Sequence, residues 1–314
     1  MIVHVGDCLE SMRKMPGQSV HCCVTSPPYF GLRDYGVDGQ LGLEATPEKF
    51  VEALVSVMRE VKRVLRNDGT LWLNLGDSYA RNPAKGQHKP GDSGKQAYLY
   101  DTGGGRASCT SQTGLADKQL IGIPWRVAFA LQADGWYLRQ DIIWQKPNVM
   151  PESVTDRCTK AHEYIFLLSK SPKYHFDHFA IKEGAVGGQT GRAASFKRQD
   201  SKREQVIPGQ GYGTHRPNRE DVAYNTQTRN KRSVWTVPTK AFKGSHFAVF
   251  PPELIEPCIL AGCPEGGTVL DPFGGSGTTA GVALKNGRNA ILCELNPEYA
   301  ELIPARVLSI MGLT

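Results

Sequence analysis

Hydrophobic and polar positions along this chain switch repeatedly between a strand period and a helix period. Ile2-Val3-His4-Val5 is a short apolar run stopped by Gly6-Asp7. Cys8 to Met15 then places Leu9 and Met12 on one helical face before Pro16-Gly17. Ser19-Val20-His21-Cys22-Cys23-Val24 reads as a buried strand, and residues 30–46, with Gly31, Gly36, Gly39 and Gly42, read as a loop. Thr46-Pro47 supplies an N-cap and a first-turn proline. The helix it opens runs to about Arg66, with Phe50, Leu54, Val57, Val61, Val64 and Leu65 on one face. Asn67-Asp68-Gly69 ends that helix, and residues 70–75 form the next strand. Strands alternating with helices predict an α/β fold with a doubly wound, mostly parallel sheet.

The rhythm breaks at residues 76–117, where Gly86, Gly91, Gly94 and Gly103-Gly104-Gly105 sit among Ser, Lys and Gln. A mobile loop or lid is expected over about 80–117. The pattern resumes with a helix over 124–131, a strand over 136–144 and a second strand over 163–169. These two strands read as an antiparallel hairpin closing one edge of the sheet. Periodicity fades again over 180–239. Beyond it come a helix over 252–260, a strand over 267–270, a helix over 280–284, a strand over 289–293 and a last helix over 297–311. Three segments are therefore expected: 1–179, an insert at 180–239, and 240–314.

Composition is that of an ordinary globular chain, with 314 residues, 40% hydrophobic and 22% charged. No apolar run reaches the ~18–20 residues of a membrane span. Residues 1–7 lack the basic flank and apolar core of a signal peptide. The eight cysteines form no CxxC pair, and Cys8, Cys22, Cys23, Cys258 and Cys293 sit in apolar contexts as reduced core residues. A cytoplasmic protein with no metal site and no membrane partner is expected. The charge pattern adds more. Lys182 to Arg232 holds eleven Lys/Arg against five Asp/Glu, which equals the whole surplus of +6. Over 180–239, aromatics (Phe196, Tyr212, Tyr224, Trp235) are interleaved with the basic residues. Such a segment suits a polyanion, nucleic acid first, and equally describes a solvated, charge-biased linker.

Two stretches carry chemistry. Thr25-Ser26-Pro27-Pro28-Tyr29 follows a strand. The prolines fix two φ angles and donate no N–H, which leaves nearby carbonyls as acceptors beside an aromatic ring. Taken alone, it reads both as a stiff turn capping a strand and as a grip for an –NH2 on a planar ring. The second stretch is Asp271-Pro272-Phe273-Gly274-Gly275-Ser276-Gly277-Thr278-Thr279, a glycine-rich turn from strand to helix. Glu294, at the tip of the following strand, lies 23 positions after Asp271. Glycines let backbone approach a ligand, and the carboxylate can hold ribose hydroxyls, so a nucleoside cofactor fits. No Lys follows the last glycine as in a P-loop, and the spacing departs from GxGxxG.

Together the two stretches resemble the S-adenosylmethionine-dependent amino-group DNA methyltransferases, in the class where Ser/Asp-Pro-Pro-Tyr precedes the cofactor motif. The resemblance spans most of the chain: Gly6-Asp7, the Pro-Pro motif, 69–79, 125–146, and 246 to the end. It implies a circularly permuted, seven-stranded Rossmann-like methyltransferase sheet, with residues 2–5 as its third strand and an inserted target-recognition region. By position, Ser26, Pro27, Pro28 and Tyr29 are the catalytic set. Asp7, Thr25, Asp271, Phe273, Gly274, Gly275, Gly277, Thr278 and Glu294 are the cofactor set, with Asp7 also a helix N-cap. His246-Phe247 to Pro251 stands where the family has a cofactor-flanking motif, without the common His-Pro form. Arg192, Lys197, Arg198, Lys202, Arg203, Arg229, Lys231 and Arg232 are the expected contacts to double-stranded DNA.

The chemistry implied is transfer of a methyl group to the exocyclic amine of a flipped base. Ser before Pro-Pro favours N4 of cytosine, with N6 of adenine the alternative. A non-catalytic DNA-binding module, or methylation of RNA or a protein amide, are the readings further off. A restriction endonuclease partner, and a monomer or a homodimer, are compatible with the resemblance.

Overall fold

The computed structural model describes residues 1–80, 113–185, 227–240 and 250–313. The chain divides into two compact units, Met1–Ala180 with Arg232–Thr314, and Ile181–Lys231. The first part of the large unit runs β1 (Ile2–Val5), α1 (Cys8–Arg13), β2 (Val20–Thr25), α2 (Pro47–Val64), β3 (Leu65–Leu75), α3 (Ile123–Ala133), β4 (Tyr137–Gln145) and β5 (His162–Ser169). In the small unit, β6 (Glu183–Gly184) and β7 (Thr228–Arg229) pair antiparallel. The large unit resumes with β8 (Val234–Thr236), α4 (Pro252–Gly262), β9 (Thr268–Asp271), α5 (Thr278–Lys285), β10 (Asn289–Glu294) and α6 (Pro297–Met311).

One sheet takes the order β1-β10-β9-β2-β3-β5-β4-β8. β1 lies parallel to β10 with Val5 opposite Glu294, so the N-terminal strand occupies its expected place beside the C-terminal ones. β10, β9, β2 and β3 continue in parallel, and β5 is antiparallel to both β3 and β4. Among the described residues the sheet has eight strands rather than seven. The addition is Val234–Thr236, which pairs in parallel with β4 and covers the edge that the hairpin was expected to close. Its three residues were too short to register as a strand inside the basic segment. The segment expected as an insert therefore gives its last residues to the sheet. A second correction concerns Asn67-Asp68-Gly69. Leu65 stands opposite Val20 and Thr70 opposite Cys22, so this turn is a bulge in a strand that begins directly after α2.

The period-2 alternation explains how both faces are covered. Cys23, Leu71 and Leu73 belong to the core that also holds Phe50, Leu54 and Met58 of α2. Their neighbours Cys22, Thr70 and Trp72 point the other way, where α4 closes on them at Gly262. A Cβ at Gly262 would stand 2.5 Å from Trp72 Nε1 and 2.6 Å from Thr70 Oγ1, so glycine is required for that approach. Each fully buried large apolar side chain here contributes about 1.5–3 kcal/mol. Cys8, Cys22, Cys23, Cys258 and Cys293 are buried free thiols. Among the described residues, no helix is long and apolar enough to cross a membrane.

The strand directions set the site. β1, β10, β9, β2 and β3 all end at one edge of the sheet, and antiparallel β5 begins there. In open α/β sheets the carboxyl ends of the strands are where ligands bind.

Candidate active site

A cleft of about 1240 Å³ runs along this edge. It exceeds the roughly 300–1,000 Å³ of a typical single-ligand site. Gly6 and Asp7 line it from the end of β1, and Glu294 lines it from the end of β10. Asp271, Phe273, Gly274, Gly275, Ser276 and Thr278 follow from β9 and the turn after it. Ser26, Pro27, Pro28 and Tyr29 line it after β2. The two motifs therefore face one cavity, although 242 positions or more separate their residues in sequence.

Asp271 joins the halves. Its carboxylate is 1% exposed. It accepts from Thr25 Oγ1 (2.6 Å), Thr279 Oγ1 (2.6 Å) and the Phe273 N–H (3.0 Å). Burial pushes this carboxyl up from its ordinary value, and the three donors oppose the shift. Both oxygens are thus engaged by the protein, so Asp271 shapes the turn. Thr25 is fully buried, gives its hydroxyl to Asp271 and does not line the cleft. Gly277 does not line it either. With φ +90°, it caps α5 and packs on α6, where a Cβ would meet Ile303 at 2.8 Å. Both were expected as cofactor contacts from motif position; the structure gives them supporting roles behind the turn.

The cofactor half is a cradle. Gly275 has φ +51°, and its N–H donates to Glu294 Oε2 at 2.7 Å. Asn296 N–H donates to the other Glu294 oxygen at 2.9 Å. Burial raises the Glu294 carboxyl to about 7 against the pull of these two donors. Ser276 Oγ and Thr278 Oγ1, at the start of α5, are buried and have no hydrogen-bond partner among the described residues. Buried hydroxyls are ordinarily satisfied. They stand where the first N–H groups of a helix lack intrahelical partners, which favours an anionic group. Asp7 accepts from Glu10 N–H at 2.9 Å as the N-cap of α1 while also lining the cleft.

The Ser26 half is a network of side chains. Tyr29 Oη lies 2.8 Å from Glu163 Oε2, 3.1 Å from Asn74 Oδ1 and 3.3 Å from Ser26 Oγ. Asn74 Nδ2 donates to the Tyr164 carbonyl at 3.0 Å and to Glu163 Oε2 at 3.3 Å. Lys146 pairs with Glu163 Oε1 and sits 4.1 Å from the Trp144 ring centre. Burial first, and then the Glu163 charge, push the Tyr29 phenol well above its ordinary value, so it stays a donor. The Tyr29 ring packs on Gly76, where a Cβ would stand 2.6 Å from Cε2. Asp77 next to it accepts from the N–H groups of Gly122 (3.0 Å) and Ile123 (3.1 Å), which anchors the start of α3. Lys160 donates to the Asp77 carbonyl at 3.2 Å, and burial lowers its ammonium.

Sequence reasoning missed Asn74, Asp77, Lys146, Lys160 and Glu163. A signal existed: Lys146 directly follows one apolar strand and Glu163 starts another. Both therefore fall at strand ends, where side chains reach the cleft.

Known proteins resemble this chain over most of its length. The N6/N4 methyltransferase profile, described as DNA methylase, matches residues 20–304. The chain belongs to this family. Its relatives include the Type II methyltransferase M.Cfr9I of Citrobacter freundii, 45% identical over 304 residues, which are 96% of this chain and 86% of that one. M.SmaI of Serratia marcescens is 44% identical over 304 residues, 97% and 89% of the two chains. Among solved structures, the cytosine-N4-specific PvuII DNA methyltransferase shares the fold with a TM-score of 0.62 at 18% identity, over 99% of this chain and 90% of that one. The Thermus thermophilus protein TTHA0409, complexed with S-adenosyl-L-methionine, gives 0.59 at 24% identity over 99% and 94%.

The methyl donor of this methylase is S-adenosylmethionine, and the cradle fits it. The orphaned hydroxyls of Ser276 and Thr278 and the start of α5 suit its carboxylate, and Glu294 suits its ribose hydroxyls. Of the expected DNA contacts, Arg192, Lys197, Arg198, Lys202 and Arg203 lie outside the described residues, as does most of the stretch from His246 to Pro251. Arg229 is paired with Glu183 at 2.8 Å within the small unit, an ion pair that ties β7 to β6. The Arg232 carbonyl accepts from Trp235 Nε1 at 2.7 Å, and Lys231 is the last residue of the small unit.

Proposed function

We propose that this methylase transfers a methyl group from S-adenosylmethionine to N4 of a cytosine flipped out of duplex DNA. The observation that carries the reading is that the Ser26–Tyr29 cluster and the Asp271–Thr278 cradle open into one cleft. When bound, the sulfonium supplies an electrophilic methyl. Phe273, Gly274, Gly275, Ser276, Thr278 and Glu294 hold the donor, with Asp7 beside the adenine. Ser26 Oγ and the Pro27 carbonyl accept the two N–H bonds of the target amine, and the Tyr29 ring supports the base. A ring-conjugated amine is a weak nucleophile because its lone pair is delocalised. Holding both N–H bonds favours a pyramidal nitrogen whose lone pair points at the methyl, so positioning and electrostatics dominate.

Ser26 before Pro-Pro favours cytosine N4 over adenine N6. The relatives at 44–46% identity are named Type II methyltransferases, which supports a modification enzyme paired with a restriction endonuclease and acting on DNA in the cytoplasm. The basic residues between Lys182 and Arg232 read as the target-recognition insert. The test is transfer of labelled methyl to DNA, RNA and protein side by side, followed by digestion of the DNA to nucleosides. Label in N4-methylcytosine is the expected result. Label in N6-methyladenine overturns the choice of base, and label only in RNA or protein overturns the substrate.

A further inference from the structure

Methylating an –NH2 leaves the nitrogen with a proton too many, and that proton needs a destination. The network behind Ser26 has a single direction. A carboxylate accepts only, and Tyr29 has one hydroxyl proton, so the 2.8 Å contact to Glu163 takes it in preference to the 3.1 Å contact to Asn74 Oδ1. The Asn74 amide cannot be turned round to compete as a donor, because its Nδ2 is needed at the Tyr164 carbonyl. With the Tyr29 proton committed, the 3.3 Å contact to Ser26 must have Ser26 as donor. That leaves the lone pairs of Ser26 Oγ for the cleft. All three side chains line the cavity, and the chain ends on a carboxylate whose second oxygen is paired with Lys146.

We propose that Ser26, Tyr29 and Glu163 form a proton relay that carries away the proton lost by the target amine, with Glu163 as the terminal acceptor. The relay rests on the reading that the amine sits at Ser26. As the amine nitrogen bonds to the methyl carbon and the carbon–sulfur bond breaks, one N–H proton passes to Ser26 Oγ. The Ser26 proton passes to Tyr29 Oη, and the Tyr29 proton passes to Glu163 Oε2. The products are a neutral methylated amine, a thioether, both hydroxyls restored and a protonated Glu163, which returns to carboxylate by releasing the proton to solvent. Neither hydroxyl ionises, consistent with a phenol that burial holds in its protonated form. Glu163 acts through Tyr29 and does not touch the base. The charged and titratable groups around it are Lys146 after β4, Lys160 just before β5 and His162 at its start, Asp77 after β3 and Tyr29 after β2.

The experiment measures single-turnover methylation of plasmid DNA at saturating S-adenosylmethionine, together with cofactor affinity and thermal unfolding. The variants are Tyr29→Phe, Glu163→Gln, their combination, and Glu163→Ala with and without added formate. Each conservative variant is expected to slow transfer by about 10²-fold or more, the usual contribution of a positioned proton acceptor, with cofactor affinity within about twofold of wild type. The combination is expected to be no slower than the slower single variant, since members of one relay fail together. Formate, and not chloride, is expected to restore part of the rate of Glu163→Ala by standing in for the carboxylate. A merely structural Glu163 would not give that rescue. Wild-type rate in Tyr29→Phe or Glu163→Gln, multiplicative losses in the combination, or no response to formate overturns the relay alone. A wild-type protein that leaves DNA amines unmethylated overturns the site reading and the relay with it.

Discussion

The two halves of the cleft are built from different materials. The cofactor half uses backbone N–H groups, two buried hydroxyls unpartnered among the described residues, and Glu294, shaped by glycines and fixed from behind by Asp271. The Ser26 half uses side chains from separate strands, tied by a Lys146–Glu163 ion pair whose members are 17% and 15% exposed. A surface of amides and hydroxyls complements a ligand of fixed shape, so damage to it should appear in affinity. A charged side-chain network holds and moves protons, so damage to it should appear in rate. The difference teaches that binding and chemistry are separable here, except at Asp271, which connects them.

The largest effect should come from the Ser26 half. Gly76→Ala places a methyl 2.6 Å from the Tyr29 ring. A displacement of about 1 Å at reacting groups costs on the order of 10²-fold in rate. Single-turnover methylation should fall by about that much with cofactor affinity unchanged; a loss confined to affinity would break the comparison. Asp271→Asn should damage both halves at once. It weakens charge-assisted hydrogen bonds from two threonines and one amide, each worth about 1.5–3 kcal/mol. Thermal or urea unfolding should show a loss of that order, together with weaker cofactor binding and slower transfer. If only one of these functions suffers, Asp271 is not the connection.

Thr278→Val sharpens the other side. It removes a buried hydroxyl that has no partner among the described residues. Stability should hold or rise, while cofactor affinity drops about five- to tenfold, or roughly 1–1.4 kcal/mol for one hydrogen bond. Calorimetric titration and unfolding of the same variant check both. The smallest effect is a pH dependence. The Glu294 carboxyl is raised from 4.5 to about 7 in the folded state. The folded protein therefore holds this proton more tightly, and Glu294 lowers unliganded stability as pH rises from about 4.5 through about 7. The ionised carboxylate is the stronger acceptor for ribose hydroxyls. Cofactor affinity should therefore rise a few-fold across neutral pH, and Glu294→Gln should flatten that rise.

Legibility in the sequence followed contact distance. The cofactor turn and Ser26-Pro27-Pro28-Tyr29 are contiguous, so residue types and spacing were enough to read them. The final helix was expected over 297–311 and spans Pro297–Met311. Glu163 was hidden because its partners Asn74 and Tyr29 lie 89 and 134 positions away. Only the antiparallel register, with Asn74 opposite Ile165 and Leu75 opposite Tyr164, brings them together. β8 escaped because three residues carry no period. That Thr25 and Gly277 stand behind the cleft lining was hidden for a related reason. Motif position does not reveal which side of a turn faces the cavity.

The most direct test of the central claim is a crystal structure of the protein with the demethylated donor product and a duplex that the wild type methylates. The account predicts a flipped base whose exocyclic amine lies within about 2.6–3.2 Å of both Ser26 Oγ and the Pro27 carbonyl, with Tyr29 still joined to Glu163. A target base that remains stacked, or one seated in the cleft with its amine turned away from Ser26, would contradict it.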